Sequence, residues 1–110
     1  MRKFTILIAA SLILVYSCTK DTTSSCGTTT YKYSTDISVI MTSKCNQSGC
    51  HNVQQGDVPN LLTYANVKEH SSHILSEINS GRMPKSGSPA LTTDEKAKIV
   101  SWINACSPNN

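Results

Sequence analysis

Apolar side chains recur along much of this chain at the spacing of helices that bury one face. Such helices place apolar residues three and four positions apart, whereas a half-buried strand alternates apolar and polar residues. The helical spacing is found in the sets Ile37, Ile40 and Met41; Ile74, Leu75 and Ile78; and Ile99, Trp102, Ile103 and Cys106. No segment shows convincing strand alternation. The pattern predicts an all-α domain of three or four short helices joined by long loops.

Polar residues that can cap a helix mark the predicted helix ends. Candidate N-caps precede each predicted helix: residues 34–36, Thr63, Ser71 or Ser72, and Thr92. Thr92 and Glu95 have the spacing of a capping box, in which each side chain bonds the other residue's backbone N–H. Gly81 stands where a left-handed residue would end the third helix. Prolines and glycines predict loops over residues 52–60 and 82–91.

The longest apolar run, residues 4–17, follows the basic residues Arg2 and Lys3. It is short for a membrane span and has the features of a secretion signal. With Cys18 its last residues read VYSC, which resembles a bacterial lipobox, where the cysteine becomes the lipidated first residue. We expect a signal peptide over residues 1–17 and lipidation at Cys18; the alternative is an ordinary signal with Cys18 unmodified. The protein is then exported and held at a bacterial membrane, facing the periplasm or the cell exterior.

The segment after the signal is polar and precedes the folded domain. Residues 18–30 are rich in Thr and Ser and are interpreted as a flexible tether, with the domain over residues 31–110. Two of the ten Lys and Arg residues belong to the signal, which leaves eight against seven Asp and Glu. That balance gives no basic excess for binding nucleic acid. Core residues are few, and a domain this small commonly needs a cofactor, a metal or disulfides.

The segment SKCNQSGCHN, residues 43–52, places two thiols and an imidazole close together. Covalent haem attachment uses two cysteines that form thioethers and a histidine that binds the iron, usually in the order C-x-x-C-H. Here four residues separate Cys45 from Cys50, and His51 follows directly. The two additional residues must loop out, and Gly49 can adopt the backbone angles that such a bulge needs.

A methionine in a proline-stiffened loop is the candidate for the second axial ligand of haem iron. Met83 precedes Pro84 in the segment GRMPK, between two predicted helices. Methionine sulfur often fills this position in electron-carrying cytochromes. The order of attachment segment, Met-Pro loop and C-terminal helix resembles the small class I cytochromes c over about residues 37–105. The chain also resembles lipoprotein-anchored cytochrome c domains of Bacteroidetes-type bacteria, which have similar LLTYANV and MPK segments.

The resemblance implies a cytochrome c-like fold around one covalently bound haem c. It implies thioether bonds at Cys45 and Cys50, with His51 as the proximal ligand and Met83 as the distal ligand of the iron. The C-x4-C-H spacing departs from the usual family pattern. The implied function is electron transfer without enzymatic activity, with redox proteins of a respiratory or periplasmic chain as partners.

Other interpretations of the same residues stay open. The two cysteines of the attachment segment and His51, together with His70 or His73, could form a tetrahedral zinc site. The two cysteines could instead form a structural disulfide, and either arrangement would make a structural lipoprotein without redox activity. His70 or His73 could also replace Met83 as the sixth ligand. A haem whose Met83 ligand is displaced would make a sensor of small molecules.

Cys26 and Cys106 are the cysteines that this assignment leaves over. They lie near the two ends of the mature domain, where the terminal segments of cytochromes meet. Thiols seldom stay free outside the cytoplasm. A Cys26–Cys106 disulfide is therefore predicted; the alternative is a Cys26 that lies in the tether and pairs with nothing.

Overall fold

The computed structural model describes residues 25–110. The signal peptide predicted for residues 1–17, the lipidation predicted at Cys18 and the first part of the predicted tether lie outside the described residues and stay predictions. Within residues 25–110, every helix is too short or too polar to span a membrane.

The described residues form four helices joined by loops. The first, α1, is one continuous segment with π-helical turns at Tyr33–Ile37 and Met41–Cys45 around an α-helical turn at Ser38–Ile40. It is followed by α2 (Tyr64–Glu69), α3 (Ser71–Asn79) and α4 (Thr93–Asn104). Residues 25–110 contain no strand, since Gln55 and Val58 form only an isolated bridge. The predicted all-α class is confirmed, whereas the cytochrome c-like fold around a haem stays a prediction.

Hydroxyl side chains on α1 account for its wide turns. Ser38, Thr42 and Ser43 each donate a hydrogen bond of 2.8 to 2.9 Å to the carbonyl oxygen four residues earlier. These hydroxyls compete with the backbone N–H groups that would otherwise bond the same carbonyls. Backbone N–H groups can then reach one residue further back, as in a π-helix. The Asn46 N–H does so, and donates to the Met41 carbonyl at 2.8 Å.

Two predicted capping arrangements are confirmed. The Thr63 hydroxyl accepts a hydrogen bond from the Asn66 N–H at 3.3 Å. The Thr92 hydroxyl accepts from the Glu95 N–H at 3.1 Å, and the Glu95 carboxylate accepts from the Thr92 N–H at 2.8 Å. Because each bond satisfies an N–H group that the helix itself leaves unpaired, the starts of α2 and α4 are fixed.

The N-caps predicted for α1 and α3 are wrong. The N-cap of α1 is Lys32, whose side chain makes no capping bond. Instead the Asp36 carboxylate, within the first turn, accepts from the Lys32 N–H at 2.9 Å. The N-cap of α3 is His70, which also ends α2, so neither predicted serine serves as a cap. Gly81 has a φ of 73° just after α3, in agreement with its predicted role as a left-handed residue.

The core lies between α1 and α4, with contributions from the segments between them. Trp102 is its largest buried side chain, and the Trp102 indole N–H donates to the Pro108 carbonyl at 2.9 Å. The rings of Tyr33 and Tyr64 lie 5.7 and 6.4 Å from the Trp102 ring. The buried apolar residues are Ile37, Ile40, Met41, Leu61, Val67, Ile78, Ile99 and Trp102. This small set agrees with the scarcity of core residues in the sequence.

Helices α1 and α4 run antiparallel. At one end, the Tyr33 ring at the start of α1 contacts Trp102 near the end of α4. At the other end, Lys44 Nζ near the end of α1 lies 3.5 Å from Glu95 Oε2 at the start of α4. The two helices therefore define two opposite ends of the domain.

The first described residues are joined to the end of α4. Cys26 and Cys106 form a disulfide across a sequence separation of 80. The Gly27 N–H donates to the Asn104 carbonyl at 3.0 Å, and the Ser101 hydroxyl bonds the Thr29 hydroxyl at 3.1 Å. Residues 26–29, the last part of the segment interpreted as a tether, are thus held against α4.

Candidate functional site

One cavity brings the predicted haem-binding residues together. Its volume is about 620 Å³, within the range of about 300 to 1,000 Å³ that is usual for ligand pockets. Cys45, Cys50, His51 and Met83 all line it. Apolar residues form much of the remaining wall: Val58, Pro59, Leu61, Ile74, Ile78, Pro84 and Leu91. The cavity therefore combines an apolar interior with thiol, imidazole and thioether groups.

The attachment segment closes on itself between Cys45 and His51. The His51 N–H donates to the Cys45 carbonyl at 3.2 Å, and within this closed turn the Cys50 N–H donates to the Gln47 carbonyl at 2.9 Å. Gly49 has a φ of 76°, a backbone conformation that side chains with a Cβ disfavour. The residues beyond the usual C-x-x-C spacing are accommodated in this turn, while the backbones of Cys45 and His51 stay in contact.

Two amide side chains hold the turn in place. Gln47 Nε2 donates to two carbonyls in the last turn of α1, at 3.2 and 2.9 Å, and so satisfies acceptors at the open end of that helix. Asn46 Nδ2 donates to the Leu61 carbonyl at 2.9 Å. The Leu61 N–H in turn donates to the His51 carbonyl at 2.9 Å. Asn46 therefore links the turn to the segment that holds the His51 backbone.

The His51 ring is oriented by the loop that follows it. Nδ1 lies 2.7 Å from the Pro59 carbonyl oxygen. A carbonyl oxygen can only accept a hydrogen bond, so Nδ1 carries the hydrogen and Nε2 of the neutral ring keeps its lone pair. Histidines that bind metals are commonly held in this way, with the second ring nitrogen donating to a carbonyl. His51 is thus prepared to act as a ligand through Nε2.

Met83 is tied to the last turn of α3. The backbone N–H groups of Arg82 and Met83 both donate to the Glu77 carbonyl, at 3.0 and 3.2 Å. The Arg82 guanidinium also binds the Glu77 carboxylate at 2.7 Å. The peptide bond between Met83 and Pro84 is cis. These contacts hold the methionine, which is half-buried, at the cavity wall.

Cys45 and Cys50 are free thiols in this structure. Burial raises the pKa of the Cys45 thiol to about 11, and nearby Cys50 and Glu95 act in the same direction. A thiol with that pKa is protonated at neutral pH, so it is a poor nucleophile and a poor metal ligand. In the chain without thioethers, Cys45 is therefore held as a buried, protonated thiol.

Other polar residues also reach the cavity. His70 and His73 line it, and so do the charged residues Asp57, Glu77 and Lys85. Both histidines therefore line the same cavity as Met83, and each stays an alternative to Met83 in the haem interpretation. Among the described residues, no group of three or more His, Cys, Asp and Glu side chains is arranged to hold a metal ion. The zinc site considered from the sequence would need such a group, made of the two cysteines, His51 and His70 or His73, and the described side chains do not form it.

No protein-family model, curated protein or solved structure matches this chain. What the cavity can bind is therefore inferred from the residues that line it and from their contacts.

The sequence interpretation missed the residues that hold the site in place. The Pro59 carbonyl is a backbone group, so no side-chain pattern signals its contact with His51. Asn46 and Gln47 directly follow the end of α1, where amide side chains can bond the last carbonyls of a helix. Their position just after a predicted helix is therefore the sequence feature from which their role could have been predicted.

Proposed function

We propose that this protein is a membrane-anchored electron carrier with one covalently bound haem c. The observation that carries the proposal is a single cavity lined by Cys45, Cys50, His51 and Met83. Two thiols, an imidazole and a thioether are the groups that covalent attachment and His/Met ligation of haem iron require. When bound, haem supplies a one-electron change between ferric and ferrous iron.

The residues present suit this group. Cys45 and Cys50 would hold it through thioether bonds, because both thiols are free and both line the cavity. His51 would be the proximal ligand, since its Nδ1 donates to Pro59 and its Nε2 is available. The apolar cavity wall would exclude water from the macrocycle and so influence the reduction potential.

Met83 is the proposed sixth ligand. It lines the same cavity as His51 and is fixed by its backbone bond to Glu77. If His51 and Met83 both bound the iron, an imidazole and a thioether would leave no open position for a substrate or a small ligand. We therefore propose an electron carrier, and neither an enzyme nor a sensor.

The location and partners follow from the same proposal. Lipidation of Cys18 would hold the domain at a bacterial membrane, in the periplasm or at the cell exterior. Its partners would then be redox proteins of a respiratory or periplasmic electron chain. The near balance of acidic and basic residues after residue 17 gives no support for binding nucleic acid.

Expression of the full chain in a bacterium that carries cytochrome c maturation factors tests the proposal. We expect a coloured protein whose mass is increased by one haem and whose haem is retained after denaturation and acid–acetone extraction. Cys45→Ala and Cys50→Ala are matched controls, and each should leave one thioether at the other cysteine. Colourless protein, from cells that mature a control cytochrome normally, would refute the haem assignment.

The spectrum of the mature protein also separates the other interpretations. His/Met ligation predicts a weak long-wavelength sulfur-to-iron band in the oxidised protein and no reaction of the reduced protein with carbon monoxide. A bis-histidine spectrum would assign the sixth position to His70 or His73. Rapid carbon monoxide binding would indicate a sensor, and zinc or a Cys45–Cys50 disulfide in colourless protein would indicate a structural lipoprotein.

A further inference from the structure

Three side chains are candidates for the sixth position of the proposed haem iron. Met83, His70 and His73 line the same cavity as His51. His70 is the N-cap of α3 and His73 lies within that helix. Both histidines are therefore held by a helix, whereas Met83 lies in the loop that follows it.

The loop that carries Met83 has little buried surface. Within the part of the chain that the structure describes, none of residues 81–91 is buried. The loop also lines a second cavity of about 330 Å³, and Met83 and Pro84 are among the six residues that line both cavities. A segment with so few buried contacts has low local stability. The position of Met83 therefore depends on the hydrogen bonds of the loop more than on packing.

Glu77 binds both residues that precede Pro84. Its backbone carbonyl accepts hydrogen bonds from the N–H groups of Arg82 and Met83. Its carboxylate accepts two more from the Arg82 guanidinium, from Nε at 2.9 Å and from Nη2 at 2.7 Å. A bidentate pair of this kind fixes the relative orientation of the two groups better than a single bond does. The loop is thereby fastened to α3 directly before Met83.

Lys44 fastens the other end of the loop. Its Nζ donates to the Ala90 carbonyl at 3.0 Å and lies 3.5 Å from Glu95 Oε2 at the start of α4. Lys44 and Glu77 both line the cavity that contains His51. The loop is thus held at two points, and the contact with Glu77 is the one that adjoins the candidate ligand.

We propose that Glu77 is a positioning residue for Met83, which keeps the thioether at the sixth position in place of His70 or His73. This inference rests on the proposed haem function. The Arg82 side chain is 63% exposed, and an exposed ion pair adds little to the stability of a whole domain. The pair acts here on a local equilibrium, in which Met83 either occupies the sixth position or leaves it.

Displacement of Met83 by imidazole measures this equilibrium. A ligand that binds only after Met83 leaves has an apparent affinity proportional to the fraction of protein in which Met83 has left. The full-length haem protein is oxidised and titrated with imidazole, and loss of the sulfur-to-iron band reports the displacement. Glu77→Gln keeps the backbone bonds but removes the charge. It should raise the apparent affinity for imidazole by about two- to five-fold.

A second variant breaks the same pair from its other side. Arg82 does not line the cavity, so Arg82→Gln leaves the cavity wall intact. It should raise the affinity for imidazole as much as Glu77→Gln does. The two effects should not add in the double variant, because both substitutions remove one interaction. A bis-histidine spectrum that appears only in these variants would also support the proposal, since a histidine would then have replaced Met83.

Asp94→Asn is the matched control. It removes the ion pair between Asp94 and Lys98 in α4, and neither residue lines the cavity, so the affinity for imidazole should not change. Equal affinities in wild type, Glu77→Gln and Arg82→Gln, or an equal rise in Asp94→Asn, would overturn the positioning role while leaving His/Met ligation standing. A bis-histidine spectrum of the wild-type protein would overturn the positioning role and the Met83 assignment together. Colourless wild-type protein would overturn both along with the haem.

Discussion

Replacing both Cys26 and Cys106 by serine should remove a large part of the stability of this domain. The bond closes a loop across a sequence separation of 80. In the chain-entropy model, a cross-link over a loop of that length restricts the unfolded chain by about 4.5 kcal/mol at 25 °C. Domains of this size are commonly stable by only about 5 to 15 kcal/mol in total. The double variant should therefore lose about 4 kcal/mol and unfold at a much lower urea concentration.

Urea unfolding followed by far-ultraviolet circular dichroism measures this loss. The dependence of the unfolding free energy on urea should also become steeper, because the unfolded chain without its cross-link exposes more surface. Ser101→Ala is the matched control, since it removes the hydroxyl contact with Thr29 at the same end of the domain but keeps the disulfide. That control should cost about 1 kcal/mol or less.

A double variant that loses no more stability than Ser101→Ala would contradict this prediction. Such a result would mean that the Cys26–Cys106 cross-link restricts the unfolded chain little, or that the two thiols are not joined in the mature protein. Peptide mapping without reduction separates these explanations, because the Cys26 and Cys106 peptides are recovered together only if the disulfide is present. If haem is bound as proposed, its absorption spectrum should change little in the double variant, since the cavity lies near the start of α4 and the disulfide near its end.

The remaining predictions concern the cavity and the start of α4. In the proposed haem protein, Met83→Ala should keep the covalent haem but lose the sulfur-to-iron band. It should also lower the reduction potential and admit carbon monoxide to the reduced protein, and absorption spectroscopy and redox titration detect these changes. Asn46→Ala removes the bond to Leu61 and should cost about 1 to 2 kcal/mol in urea unfolding, whereas a cost near zero would contradict its linking role. Thr92→Ala removes the cap of α4 and should cost about 1 kcal/mol by the same measurement. In the folded chain without thioethers, burial raises the pKa of Cys45 to about 11, above the usual thiol value of about 9. Because the unfolded chain loses this proton at a lower pH, the unfolding free energy of the domain should fall by up to about 3 kcal/mol as the pH rises from 9 to 11. A thioether cannot titrate, so Cys45→Ser and the haem protein should both lack this loss.

Much of the fold could be predicted because local chemistry determines it. The helical spacing of apolar residues in α3 and α4 and the caps at Thr63 and Thr92 depend on neighbours within a few positions. The start of α1 could not be read in the same way, because Asp36 bonds the Lys32 N–H from inside the first turn. The π-helical turns also escaped prediction, since they depend on which carbonyls the serine and threonine hydroxyls reach.

In the candidate site, the sequence indicates which side chains take part but not which backbone groups hold them in place. Cys45, Cys50, His51 and Met83 were singled out by residue type and spacing, and the structure brings them to one cavity. The Pro59 carbonyl that orients His51 is eight positions away in a loop, and any residue could offer a carbonyl there. A sequence can therefore name the candidate ligands more readily than the contacts that orient them.

The two ends of the domain differ in what holds them together. The disulfide end has a covalent bond, the aromatic contacts of Trp102 and several backbone bonds to the C-terminal residues. The cavity end consists largely of loops, and its apolar wall surrounds a space of about 620 Å³. Apolar side chains around such a space lack the dispersion contacts that a packed core provides. A planar apolar group bound in this cavity would supply those contacts, and covalent attachment at Cys45 and Cys50 would hold the loops to it. The proposed haem would therefore be structural as well as functional, because it would complete the burial that the few core residues of the chain cannot.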